Sequence, residues 1–200
     1  MPSPPEHVIR AAVEAARCSP CAKSRRGAAS YQPVGDGFLF TTAFNGPPMG
    51  IRCDGSESCR RSCRERCEHA ESRAVTDLVA ACGYTKIRDD FDVVHVKIDD
   101  SGDLVAGGPP SCGRCAVRML DVGIGGVWLY QTPESIEAMP FDIWPLGLDF
   151  KGIGAGVSTV GHVVFYRDDG RVVEPLELAR WVRYTAAEFH RATCVNAGIY

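Results

Sequence analysis

A few residue types at fixed spacing carry the chemistry open to this sequence. His69 and Glu71 stand two apart in Cys67-Glu68-His69-Ala70-Glu71, and about forty residues later Pro109-Pro110-Ser111-Cys112-Gly113-Arg114-Cys115 sets two thiols three apart. Two thiolates and one neutral imidazole give a Zn²⁺ ion three protein ligands and leave its fourth position for water, the arrangement of a catalytic rather than a closed structural site. The prolines ahead of Cys112 predict a helix start, where free N–H groups and the helix dipole favour thiolate over thiol. Glu71 is then not needed as a ligand and can serve as a general base. Against this stands a plainer reading: a Cys-x-x-Cys pair alone also suits a structural metal or a redox couple, with His69 and Glu71 as surface residues.

The elements that position these groups follow from one geometric demand. Positions i and i+2 of a regular helix lie about 200° apart, so His69 and Glu71 reach a common water only if His69 stands at the first turn. A break near Cys67 to His69 is therefore expected inside the charged stretch Ser56 to Ala81. Beyond it a helix from His69 to Ala81 would pack through Ala70, Ala74, Leu78 and Ala81.

Elsewhere, apolar spacing predicts a helix over Glu6 to Arg17 and a hairpin of strands Gly27 to Tyr31 and Gly37 to Phe44. Further strands are expected at Phe91 to Ile98 and Gly126 to Gln131, with a proline-opened helix at Pro109 to Asp121 between them. A second hairpin is expected where Val163 to Tyr166 and Arg171 to Glu174 flank Asp168-Asp169-Gly170. Thr185-Ala186-Ala187-Glu188 has the form of a capping box opening a last helix. Pro140 to Gly161 has no clear period and receives no assignment. Helices alternating with strands imply an α/β layered sheet.

Composition narrows the function. The 200 residues are 45% hydrophobic and 24% charged with a formal charge of -3, enough for one core and no global field that attracts nucleic acid or anionic lipid. The first 75 residues are mildly basic and the rest acidic, an asymmetry too weak for a binding stripe. No apolar run has the length of a membrane helix and no signal-peptide pattern opens the chain, so the cytoplasm is the expected compartment and no membrane partner is expected. In that reducing compartment, ten cysteines point to metal rather than disulfides.

Taken in order, Ser19-Pro20-Cys21-Ala22-Lys23-Ser24-Arg25-Arg26-Gly27-Ala28, Phe44-Asn45-Gly46-Pro47-Pro48-Met49-Gly50, Cys53, His69-Ala70-Glu71 and Cys112-Gly113-Arg114-Cys115 resemble the deoxycytidylate deaminase group of the zinc-dependent cytidine deaminase superfamily. The family commonly has proline directly before the first cysteine of the pair, where this chain has Ser111. The resemblance implies a single domain over 1–200: a three-layer α/β/α sandwich with a mixed sheet over residues 5–132 and a C-terminal extension over 134–200. It implies hydrolytic deamination of a pyrimidine nucleotide, dCMP to dUMP and ammonia, by a homo-oligomer with a small-molecule partner. It also puts Asn45 on the sugar side of the substrate and the backbone around Ser111 and Cys112 on the base edge. Asn45 before glycine also suits a simple turn.

Cys21, Cys53, Cys59, Cys63 and Cys67 are candidates for a second, structural zinc, and the resemblance places positions matching Cys21 and Cys53 in such a site in some relatives. The alternative makes them small apolar fillers beside a phosphate-binding surface of Arg52, Arg60, Arg61, Arg64 and Arg66. Lys23, Arg25, Arg26 and Arg52 are candidates for a substrate phosphate, and Tyr130 and Trp128 for stacking on a base, with solvated charges and core aromatics as the alternatives. Three functions stay open on the sequence: a deaminase of pyrimidine nucleotides, a deaminase of another free base or nucleotide or of single-stranded nucleic acid, and a catalytically silent zinc-stabilised binding module.

Overall fold

Alternating side chains on five main strands make one sheet with two apolar faces, and helices cover both. The structure, a computed structural model, describes residues 3–34, 36–48, 51–83, 90–110, 112–132, 135, 153–157, 163–167, 172–173 and 179–196. The strands are β1 (Arg25–Val34), β2 (Gly37–Phe44), β3 (Asp92–Ile98), β4 (Leu104–Val105), β5 (Gly126–Gln131) and β9 (Arg180–Thr185), in spatial order β2-β1-β3-β5-β9 with β4 on β3. The β3–β5 pairing is parallel and the others are antiparallel, so the sheet is mixed. Strands β6 (Ile153–Val157), β7 (Val163–Arg167) and β8 (Val172–Val173) form a separate antiparallel sheet.

Helix α1 (Glu6–Arg17) occupies the span its spacing predicts and buries Val8, Ala12 and Ala16 with Ala29, Val94, Val96 and Trp128. On the opposite face, α3 (Ala70–Cys82), α4 (Gly113–Val122) and α5 (Ala186–Asn196) close a larger core around Leu78, Phe91, Met119, Tyr184 and Phe189. The result is the α/β/α layering expected from the sequence. Helix α2 (Glu57–Arg66) precedes α3, and Cys67 to His69 between them is not helical. The break therefore lies where the Glu71 geometry requires it.

Several boundaries differ from expectation. Helix α4 starts at Gly113, not at Pro109, because the Cys112 sulfur accepts the Cys115 N–H and acts as the N-cap. Ala81 is exposed, and the buried stripe of α3 runs through Ala70, Glu71, Ala74, Val75 and Leu78, with half-buried Cys82 continuing it. Residues 168–170 of the second expected hairpin lie outside the described residues, although β7 and β8 pair as it requires. In the unassigned stretch Pro140 to Gly161, Ile153–Val157 forms β6.

The C-terminal segment enters the main sheet. Arg183 on β9 donates to both Asp92 carboxylate oxygens at 2.7 and 2.9 Å, and the buried Tyr184 hydroxyl donates to Gln131 Oε1 at 2.5 Å. Thr185 and Glu188 exchange the expected capping-box bonds at the head of α5. Among the described residues no helix is long and apolar enough to cross a membrane.

Helix α1 approaches β1 closely at Gly27. A Cβ there would meet the Ala12 carbonyl oxygen at 2.0 Å and the Ala16 nitrogen at 2.6 Å, both backbone atoms. Gly27→Ala should therefore force α1 off β1 and cost about 1–3 kcal/mol, read by thermal denaturation as a melting point lower by about 2–12 °C; an unchanged melting point contradicts this packing.

Candidate metal centre and active site

His69, Glu71 and Cys112 stand at element ends and line one cavity, with buried Cys115 in the first turn of α4 beside them. His69 is the N-cap of α3 in extended conformation (φ -82°, ψ 151°), and Glu71 sits in the first turn that follows. The extended linker is pinned by a two-way bridge: Gly46 N donates to Glu68 O at 3.1 Å and Glu68 N to Gly46 O at 3.0 Å. Arg73 braces the same point, donating to Glu68 Oε2 and to the Gly46 and Pro47 carbonyls. Helix α4 brings Cys112 and Cys115 alongside, so that the donor atoms of His69, Cys112 and Cys115 all lie within 4.8 Å of one another.

These three residues could hold a metal ion, and their spacing fits one. Bonds of about 2.3 Å to sulfur and 2.0–2.1 Å to nitrogen at tetrahedral angles place donors about 3.5 Å apart; the Cys115 Sγ to His69 Nδ1 separation is 3.5 Å. The thiols are electrostatically uneven. The hydrogen bond with Cys115, aided by His69, draws Cys112 down to about 5 against the effect of burial, while the same bond and burial push Cys115 up. The pair thus loses its first proton readily and its second when a cation takes the proton's place. His69 is raised, chiefly by its hydrogen bond to Cys112.

Glu71 is 5% exposed and its Oε2 has no hydrogen-bond partner among the described residues. Burial favours its neutral form, yet the imidazoles of His95 and His69 hold the carboxyl below the ordinary glutamate range. Glu71, His69 and Cys112 line a cavity of about 710 Å³, within the range of about 300–1,000 Å³ typical of small-molecule sites.

The other sequence candidates divide. Asn45 lines the cavity, but its amide also holds the preceding loop: Oδ1 accepts from Ser19 Oγ and Arg26 N, and one Nδ2 hydrogen goes to Ser24 O. Arg26 and Lys23 line the cavity, whereas Arg25 donates to the Asp99 carbonyl and exposed Arg52 is not in its wall. Tyr130 borders the cavity with its ring 5.4 Å from Trp181, and Trp128 is buried on the α1 side. Ser111 lies outside the described residues.

The second thiol group is adjacent to the same cavity. Cys21, Cys63 and Cys67 line it, Cys53 Sγ lies 3.5 Å from Cys59 Sγ, and burial beside Cys63 pushes Cys67 up to about 12. Among the described residues, however, the His69 group is the one whose three or more donors lie mutually within 4.8 Å.

Sequence reasoning missed His95, Lys97, Phe189 and Asn196 in the cavity wall. A signal existed for the first two: Val93, His95 and Lys97 share one face of an alternating strand. For Phe189 and Asn196, on the last helix, there was none.

No family model and no curated protein matches this chain. Among solved structures, a cytidine deaminase from Burkholderia pseudomallei is similar to it at 19% identity and a TM-score of 0.38, over 68% of this chain and 98% of that one.

Replacing His69, Cys112 or Cys115 by alanine should lower the metal that co-purifies with the chain by about one equivalent per chain in elemental analysis. Cys82→Ala, outside the cavity wall, should retain it. Full retention in a ligand variant contradicts the assignment of that ligand.

Proposed function

We propose that the chain is a zinc-dependent hydrolytic deaminase of the cytidine deaminase superfamily, acting on a pyrimidine nucleotide, with dCMP as the foremost substrate. One observation carries this reading: three soft and imidazole donors converge, two of them (His69 and Cys112) in the wall of a cavity that also holds a buried carboxylate, Glu71, whose Oε2 has no hydrogen-bond partner among the described residues. A zinc ion held by His69, Cys112 and Cys115 would supply, when bound, a water acidified from 15.7 towards about 7.

The protein's own part is proton handling and orientation. Glu71 accepts a proton from the attacking water and delivers it to the ring nitrogen. Once the water oxygen has bonded to the amine-bearing carbon, its second proton passes through Glu71 to the amino group; the C–N bond then breaks with its electron pair on nitrogen, ammonia leaves, and the new C–O group becomes a carbonyl. Backbone groups beside Cys112 and the remaining Asn45 hydrogen hold the base edge and the sugar in this reading.

Charge favours an anionic substrate. Lys23, Arg26, Lys97 and Arg114 line the cavity, against the single carboxylate of Glu71 among its described residues. A phosphate recruits such cations through charge-assisted hydrogen bonds. A second, structural zinc on ligands drawn from Cys21, Cys53, Cys59, Cys63 and Cys67 belongs to the same reading and rests on the sequence resemblance. The exposed Val34, Phe38, Leu39 and Phe40 along β1 and β2 support self-association in a cytoplasmic homo-oligomer.

The decisive experiment incubates the purified chain with dCMP, CMP, dCTP, deoxycytidine, cytosine, purine compounds and single-stranded DNA, reading ammonia and zinc per chain. Release from pyrimidine mononucleotides supports the proposal; release from polymer alone, or none with zinc bound, overturns it. Glu71→Gln should keep its zinc and lose about 10²–10⁴-fold in kcat; near-normal turnover contradicts the role of Glu71. Lys97→Ala and Arg26→Ala should each raise KM for dCMP about tenfold or more and leave deoxycytidine turnover nearly unchanged; equal effects on both substrates contradict a phosphate role.

A further inference from the structure

Strand β3 contains one residue that packing does not explain. Val94, Val96 and Ile98 enter the core beneath α1, and Val93 enters the core beneath α3 and α4. At the next position on the Val93 face, where the strand passes from that core into the cavity, stands an imidazole, His95, 8% exposed. Its register neighbours, Ala28 on β1 and Leu129 on β5, have no polar side-chain atom to offer. A valine or leucine here would bury apolar surface without desolvating a ring that needs partners.

What the ring faces is Glu71. His95 Nδ1 lies 3.7 Å from Glu71 Oε1, and the far atoms of the two groups, His95 Nε2 and Glu71 Oε2, are buried without hydrogen-bond partners among the described residues. We propose that His95 is a positioning residue for Glu71: its Nδ1–H points at Oε1 and fixes the carboxylate so that Oε2 faces the cavity. Hydrogen bonds of this kind are often long in empty sites and tighten once ligand is present. Burial also pushes His95 down to about 4, so at neutral pH the ring is uncharged and has one N–H to give. The kinetic part of this inference rests on the deaminase reading; the His95–Glu71 pairing does not.

The test has two arms on the full chain as purified with its metal. Imidazole ¹⁵N NMR should show His95 as the neutral Nδ1–H form, with its signals moving in Glu71→Ala. An Nε2–H form, or signals indifferent to Glu71→Ala, overturns the pairing. In the kinetic arm, asparagine places an N–H near the Nδ1 position and leucine does not. With zinc content unchanged, His95→Leu should lower kcat about 10–100-fold with KM within about threefold, and His95→Asn should restore most of kcat. Equal loss in both variants, a rise in KM with kcat intact, or full activity of His95→Leu overturns the positioning role. Should the unmutated chain release no ammonia from any substrate, the deaminase reading fails and the NMR arm still decides the pairing.

Discussion

A histidine and a glutamate two residues apart must face one point, and a continuous helix forbids it. The chain meets this constraint by ending α2 at Arg66, running Cys67 to His69 extended, and restarting a helix at Ala70. The extended linker would be free to refold as helix were it not paired. The Gly46–Glu68 bridge consumes its backbone groups, and Arg73 ties the same corner from the first turns of α3. The loop after β2 thereby fixes the orientation of His69, although it provides none of the three metal donors.

The other half of the site obeys similar logic. Cys112 is both a candidate metal donor and the N-cap of α4, so the bond that starts the helix also fixes the sulfur. The chain leading into it is held from a distance: Asn196 at the end of α5 donates to the Pro110 carbonyl at 2.7 Å. Helix α5 is in turn carried by β9, which is locked to β3 by the Asp92–Arg183 pair and to β5 by Tyr184 and Gln131. The last described segment of the chain thus supports the geometry at Cys112, and it lends Phe189 to the cavity wall.

Local chemistry was readable in the sequence, and long-range pairing was not. The apolar period of Glu6 to Arg17, the Thr185–Glu188 capping box and the break before Ala70 each follow from groups a few residues apart, and each has its counterpart in the structure. The start of α4 was misplaced because proline is a common opener, while a thiol acting as cap leaves no distinctive spacing. That β9 pairs with β5 depends on contacts some fifty residues apart in the chain, such as Tyr184 with Gln131, which no local pattern encodes. His95 is hidden for a different reason: it belongs to no local group of ligating residues, and a solitary imidazole in a valine-rich strand stands out only along the face that runs from Val93 to Lys97.

The account stands on one ion held by His69, Cys112 and Cys115 with its remaining corner open towards Glu71. Anomalous scattering at the zinc edge from crystals of the purified chain tests this most directly. The prediction is a peak about 2.0–2.1 Å from a His69 nitrogen and about 2.3 Å from both sulfurs, with no fourth protein atom bound. A peak completed by a further side chain, or anomalous density confined to the cysteines of the α2 region, would contradict it.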